Sequence, residues 1–144
     1  MAFEVSEFDY MKVSVFGNPD LKKDSLVVRL VPELRERFPE VEFKVEDPVE
    51  GLKPPKKGIW VILDVVEGIE GVKVIEDVDR LVEIRRVSLH DYDVGMELKL
   101  LKKLGKIGGV KIVVVGMEME EKKALIGTVK KLKEVIPREL HQRC

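Results

Sequence analysis

Three side chains able to hold a divalent cation, Asp24, Asp64 and His90, occupy comparable places in the chain. Asp24 lies at the end of a polar loop, Gly17-Asn18-Pro19-Asp20-Leu21-Lys22-Lys23, that follows the apolar run Met11, Val13, Val15, Phe16. Asp64 directly follows the unbroken apolar run Ile59-Trp60-Val61-Ile62-Leu63, and His90 lies in the polar loop Val87 to Asp93. In an α/β protein, ligands bind beyond the carboxyl ends of parallel strands, where helices begin. If these segments share one sheet edge, two carboxylates and an imidazole converge. They make an O/O/N donor set with open positions, suited to a divalent transition metal.

Each of these residues also has a purely structural reading. Asp24 fits a helix N-cap, Asp64 fits the cap of a turn, and a lone loop histidine is an ordinary surface residue. The three are far apart in sequence and form no local motif. The Gly17-Asn18-Pro19 loop, with Lys22 and Lys23 near it, matches neither the dinucleotide pattern of three glycines nor the Walker pattern, which argues against phosphate. Nucleophilic catalysis finds no partnered serine or cysteine: Ser88 is two residues from His90, and Cys144 is terminal. His141 and Cys144 have a ligand-like spacing but sit in a tail without further ligands. Met117 and Met119 read as packing residues at a strand end.

The elements that must position these residues are legible from periodicity. Residues 11–17 read as the first strand, and residues 1–10 as an edge strand or a loose end. Asp24 or Ser25 opens a helix whose Val27, Leu30, Val31 and Leu34 fall at i, i+3, i+4 and i+7. Pro32 inside that pattern is expected to bend it or restrict it. Val41, Phe43 and Val45 alternate with Glu42, Lys44 and Glu46, which predicts a strand with one exposed face. The run 59–63 predicts a strand covered on both faces and ending at Asp64. Residues 71–75 and 80–84 read as further strands, 94–104 as a helix capped by Gly105, and 110–115 as a second, largely apolar strand. Residues 119–135 predict the last helix, broken by Pro137. Glu67-Gly68 and Glu70-Gly71 read as turns. Alternating strands and helices of this kind give an α/β fold, a three-layer α/β/α sandwich around a twisted, mostly parallel (mixed) sheet, expected as a single domain over residues 1–144.

Composition removes several classes of function. With 26 Lys and Arg against 27 Asp and Glu, the net charge is -1, so nothing pulls the whole chain toward nucleic acid or acidic lipid. Charged residues are 37% of the chain while Asn, Gln and Thr occur once each, the pattern of a hyperthermophilic source. The lone Cys144 excludes an intrachain disulfide. No apolar run approaches the ~20 residues of a membrane span, and the acidic amino terminus does not read as a signal peptide, so a cytoplasmic location is expected.

Taken together, Gly17-Asn18-Pro19 with Asp24, then Ile62-Leu63-Asp64-Val65-Val66-Glu67-Gly68, then Ser88-Leu89-His90-Asp91, resemble the hydrogenase maturation endopeptidases. The resemblance runs from about Met11 to Ile136, and the archaeal branch is the most similar. It implies a peptidase that removes the carboxyl-terminal extension from the large-subunit precursor of a [NiFe] hydrogenase once nickel is in place. The nickel arrives with the substrate. The resemblance further implies that Asp24, Asp64 and His90 contact that metal; a carboxylate, Asp24 or Asp64, or a metal-held water is then expected to supply the nucleophile. Gly17, Asn18 and, after the second strand, Asp47 fall at substrate-binding positions. Two departures are visible: Lys23-Asp24-Ser25 stands where many members have two acids and a glycine, and Asp47-Pro48-Val49-Glu50-Gly51 replaces a glycine-rich turn. A cation beside Asp24 favours its charged form and weakens it as a base. Two other readings follow, a nickel-status checkpoint or assembly partner that does not cleave, and an unrelated metal oxygenase with the same donor set.

Overall fold

The computed structural model describes residues 11–17, 25–47, 52–55, 59–77, 94–103 and 109–137. In chain order they form β1 (Met11–Phe16), α1 (Leu26–Arg37), β2 (Val41–Glu46), β3 (Ile59–Val66), β4 (Val72–Ile75), α2 (Val94–Lys103), β5 (Gly109–Gly116) and α3 (Glu121–Val135). The strands make one sheet in the order β2-β1-β3-β5-β4. β2, β1, β3 and β5 run parallel, and β4 pairs antiparallel with β5 at the far edge. The expected mixed, mostly parallel α/β architecture is therefore present, with helices on both faces.

Period-two alternation divides the strands between two cores. Val13 and Val15 of β1, Val61, Leu63 and Val65 of β3, and Val113 and Val115 of β5 face α1 and α3. α1 contributes Leu26, Val27, Leu30, Val31 and Leu34 to this face, and α3 contributes Ala124, Val129 and Leu132. The other residues of the same strands, Phe16, Trp60, Ile62, Val66, Ile112 and Val114, form a second cluster against Leu98 of α2. Both faces of β3 and β5 are covered, so their sequences lack polar alternation. Across the first face, Arg29 of α1 ties to Glu121 of α3 at 2.7 Å, an exposed ion pair that adds at most about 1 kcal/mol.

Buried Ser14 and Trp60 link β1 to β3 on the second face: the indole Nε1–H donates to Ser14 Oγ at 2.9 Å. Phe16 meets the same indole edge-on, with ring centroids 6.3 Å apart. Ser14→Ala leaves the buried indole N–H without its acceptor, an expected loss of about 1–3 kcal/mol. A urea titration checks it; an unchanged midpoint would show that another acceptor replaces the hydroxyl.

Three expectations need correction. Pro32 does not restrict α1, which stays helical on both sides of it: that residue is exposed, and the five buried residues of the helix hold it against the sheet. β3 does not stop at Asp64: its backbone pairing with β5 continues through Asp64↔Val114, Val65↔Val115 and Val66↔Gly116, whatever the polarity of the side chain. β2 does not keep a clean exposed face either, since Glu46 is buried while Val45 is 38% exposed. The Glu67-Gly68 turn forms and Gly71 lies at a bend, both glycines with positive φ, and Met117 and Met119 pack against the first cluster as expected. The possible strand at 80–84, the cap at Gly105 and both chain ends lie outside the described residues.

Candidate functional site

The strand order creates a switch point. From β1 the chain crosses through α1 to β2 on one side, whereas β3 lies on the other side of β1. Connections leave β1 and β3 in opposite directions, and the crevice between them opens at their carboxyl ends, where open α/β sheets bind ligands. Phe16, the last residue of β1, pairs in register with Asp64 of β3. The loop beginning at Gly17 and the carboxylate of Asp64 therefore start from adjacent positions on this edge.

Asp64 is buried, with 6% of its surface exposed. Its side chain rises on the same face as Phe16, Ile62, Val66 and Val114, an apolar setting in which a carboxylate costs several kcal/mol unless it is paired or hydrogen-bonded. The backbone N–H of Val65 donates to Oδ1 at 2.9 Å. A polar group kept in such a place, at the carboxyl end of the central strand, is suited to chemistry: to hold a cation, or to move a proton in a water-poor crevice.

Ser25 stands at the N-cap of α1 but makes no capping bond with its side chain. Its hydroxyl oxygen instead accepts from Arg29 Nη1, and the backbone N–H of Arg29 donates to the Ser25 carbonyl at 2.9 Å. The start of α1, immediately after Asp24, is thus held through Arg29 to Glu121 of α3.

Of the residues singled out from sequence, the described structure brings Gly17 and Asp64 to the switch point. Gly17 directly follows Phe16, one residue past the row that contains Asp64. Asp47 lies one residue past β2 and is exposed. Asn18, Asp24 and His90 lie outside the described residues. Among the described residues no group of three or more His, Cys, Asp or Glu side chains is placed to hold a metal ion.

Glu46 was not anticipated. It pairs in register with Phe16, so Glu46, Phe16 and Asp64 form one row across β2, β1 and β3. Lys12 Nζ lies 2.6 Å from Glu46 Oε1, yet neither carboxylate oxygen accepts a hydrogen bond from the described residues. The alternation of Glu42, Lys44 and Glu46 with Val41, Phe43 and Val45 does put Glu46 on the face of β2 opposite Val41 and Phe43; that this is the Phe16 face, and that Glu46 is buried there, has no local signal.

No protein-family model matches the chain, and no curated protein is significantly similar to it. Solved structures do share its architecture. An endopeptidase from Escherichia coli, determined in solution, superposes with a TM-score of 0.59 at 20% identity, covering 90% of this chain and 99% of that one. An uncharacterized protein from Wolinella succinogenes gives 0.50 at 16% identity, over 88% of this chain and 99% of that one. A hydrogenase 2 maturation peptidase from Thaumarchaeota archaeon SCGC_AB-539-E09 gives 0.49 at 23% identity, over 87% of this chain and 97% of that one. At these identities the first two show a likeness of fold alone.

Proposed function

We propose that the chain is an endopeptidase that removes the carboxyl-terminal extension of a [NiFe] hydrogenase large-subunit precursor after nickel insertion. The observation that carries this reading is the buried carboxylate of Asp64, in register with the end of β1 at the switch point of the sheet. The loop motifs that resemble the maturation endopeptidases, Gly17-Asn18-Pro19 with Asp24 and Ser88-Leu89-His90-Asp91, flank that position in the sequence. The fold shared with the Escherichia coli endopeptidase is compatible with it.

In this reading the nickel belongs to the substrate. Held by the precursor, it is read through Asp24, Asp64 and His90, which offer it hard-to-borderline donors. Hydrolysis adds water across the scissile amide: the water oxygen bonds to the carbonyl carbon, the C–N bond breaks, and the leaving nitrogen takes up a proton. A carboxylate, Asp64 or Asp24, accepts the proton from water and returns it to the amine. The low exposure of Asp64 keeps competing bulk water from the proton path.

Incubation with a nickel-loaded precursor should yield a shortened large subunit, read by mass spectrometry. His90→Ala should abolish shortening while leaving the far-ultraviolet circular dichroism unchanged; normal processing by that variant would remove His90 from the site. Binding of the precursor without shortening by the wild-type chain would instead support the checkpoint reading, which the departure at Lys23-Asp24-Ser25 motivates.

A further inference from the structure

The outer face of α3 carries charge of one sign. Lys122, Lys130 and Lys133 surround exposed Ile126 at helical spacing, and Lys123 flanks them. At about 100° per residue, these five side chains fall within an arc of roughly 100°. They lie opposite the buried Ala124, Thr128 and Leu132. All four lysines are exposed, and none is ion-paired with a described residue. Two acids of the same helix are engaged elsewhere: Glu121 binds Arg29 of α1, and Glu134 lies 3.7 Å from Lys131, which is off the stripe. The exposed face of α1 is built differently, with Glu33, Arg35, Glu36 and Arg37 mixed in sign. Like charges at these spacings repel, and Lys122 and Lys123 stand in the first turn of α3, where the helix dipole favours acids. Both effects work against the free helix and are relieved when a negative surface covers it.

Ile126 selects among negative partners. It is 62% exposed, more than any other large hydrophobic side chain described, and it sits at the centre of the lysines. Nucleic acid meets such a stripe through phosphates, which give an apolar side chain nothing to pack on, and proteins that bind it add arginine and aromatic residues. α3 has neither. A membrane surface requires a broad apolar face beside the charges, and here there is one residue. An acidic protein surface satisfies both features: carboxylates meet the lysines, and an apolar side chain packs on Ile126.

α3 also begins beside the candidate site. β5 ends at Gly116, in register with Val66, two residues beyond Asp64 on β3, and the helix starts at Glu121. Lys122 and Lys123 therefore stand at the carboxyl edge of the sheet, and the stripe runs from there for roughly 16 Å along the helix.

We infer that Lys122, Lys123, Lys130 and Lys133, with Ile126 at their centre, form a docking face for an acidic surface on the body of the large-subunit precursor, away from the peptide that is cut. This rests on the reading above of that precursor as the substrate. The lysines steer and hold the precursor while its carboxyl-terminal extension reaches Asp64.

The test measures binding of the nickel-loaded precursor and its shortening separately, at low and at high ionic strength. Lys122→Glu, Lys123→Glu, Lys130→Glu and Lys133→Glu together should weaken binding and raise KM about tenfold or more at low salt, with kcat within about threefold of wild type. Added salt should weaken binding by the wild type and not by this variant. If the glutamate variant melts too low for assay, glutamine at the same four positions should give a smaller rise in KM in the same direction. Ile126→Ser should weaken binding about threefold and leave its salt dependence unchanged, which marks a protein surface rather than a polyanion. Unchanged binding and KM in the folded four-lysine variant overturn the docking face and leave the peptidase reading intact. So does a loss of binding confined to a double-stranded DNA fragment or to vesicles of acidic lipid, with the precursor bound as before. A precursor that is bound through the lysines but never shortened overturns the peptidase reading and leaves the docking face standing. A wild type that neither binds nor shortens it overturns both.

Discussion

Asp64→Asn should slow precursor shortening by about a hundredfold to ten-thousandfold, the usual worth of a positioned general acid or base, while the protein stays folded. The two side chains have the same shape, and the amide oxygen of Asn can still accept the Val65 N–H that Oδ1 accepts now, at 2.9 Å. What disappears is the negative charge and the capacity to carry a proton. Removing a charge from a site with 6% exposure relieves desolvation but weakens charge-assisted bonds. Stability should therefore move by no more than about 1–2 kcal/mol in either direction. The rate of appearance of the shortened subunit, beside a urea unfolding curve, separates the two effects. Wild-type processing by Asp64→Asn would make Asp64 a structural acid and leave the proposed chemistry without its central residue. A collapse of stability with proportionate loss of activity would point the same way.

The second large effect is expected at Gly116, where β5 ends beneath the turn that joins β3 to β4. Its N–H donates to the Gly71 carbonyl at 3.0 Å, and the next N–H, of Met117, donates to the Val66 carbonyl at 3.0 Å. A Cβ at position 116 would lie 2.5 Å from the Ile69 carbonyl oxygen and 3.4 Å from that of Gly71. These are backbone atoms, and no rotamer change relieves the overlap. Gly116→Ala should therefore cost about 2–3 kcal/mol, because the 67–71 turn or the end of β5 must shift. Gly127→Ala is the comparison. There the added Cβ meets Val72 Cγ2 at 2.8 Å, but alanine in place of glycine within α3 recovers about 0.5–1 kcal/mol of helix propensity. Its unfolding midpoint should stay much closer to wild type than that of Gly116→Ala. Equal midpoints for the two variants would mean that the 67–71 turn yields without strain.

Where sequence reading succeeded and failed follows from the range of each interaction. The stripe Val27, Leu30, Val31 and Leu34 predicts α1 because helical packing is written within a few turns of chain, and all four are buried in the structure. The apolar runs of β3 and β5 are equally readable, and both are inner strands of the sheet with covered faces. The misreading of where β3 ends has the opposite origin. An acid after five apolar residues looks like a stop, yet the backbone of Asp64 is held by β1 on one side and β5 on the other. Strand continuity there is decided by neighbours distant in sequence.

The sequence by itself determined the kinds and order of the described elements, the α/β class, and the placement of Asp64 near the end of an apolar strand. These depend on propensities and periodicities that act over a few residues. Only the tertiary structure decided the order β2-β1-β3-β5-β4, the antiparallel edge strand, and the switch point between β1 and β3. It also decided that Glu46, Phe16 and Asp64 share one row, and that Glu46 is buried beside Lys12. Register and strand order are set by backbone pairing and face packing between segments far apart in the chain, and a one-residue slip would send each of these side chains to the other face.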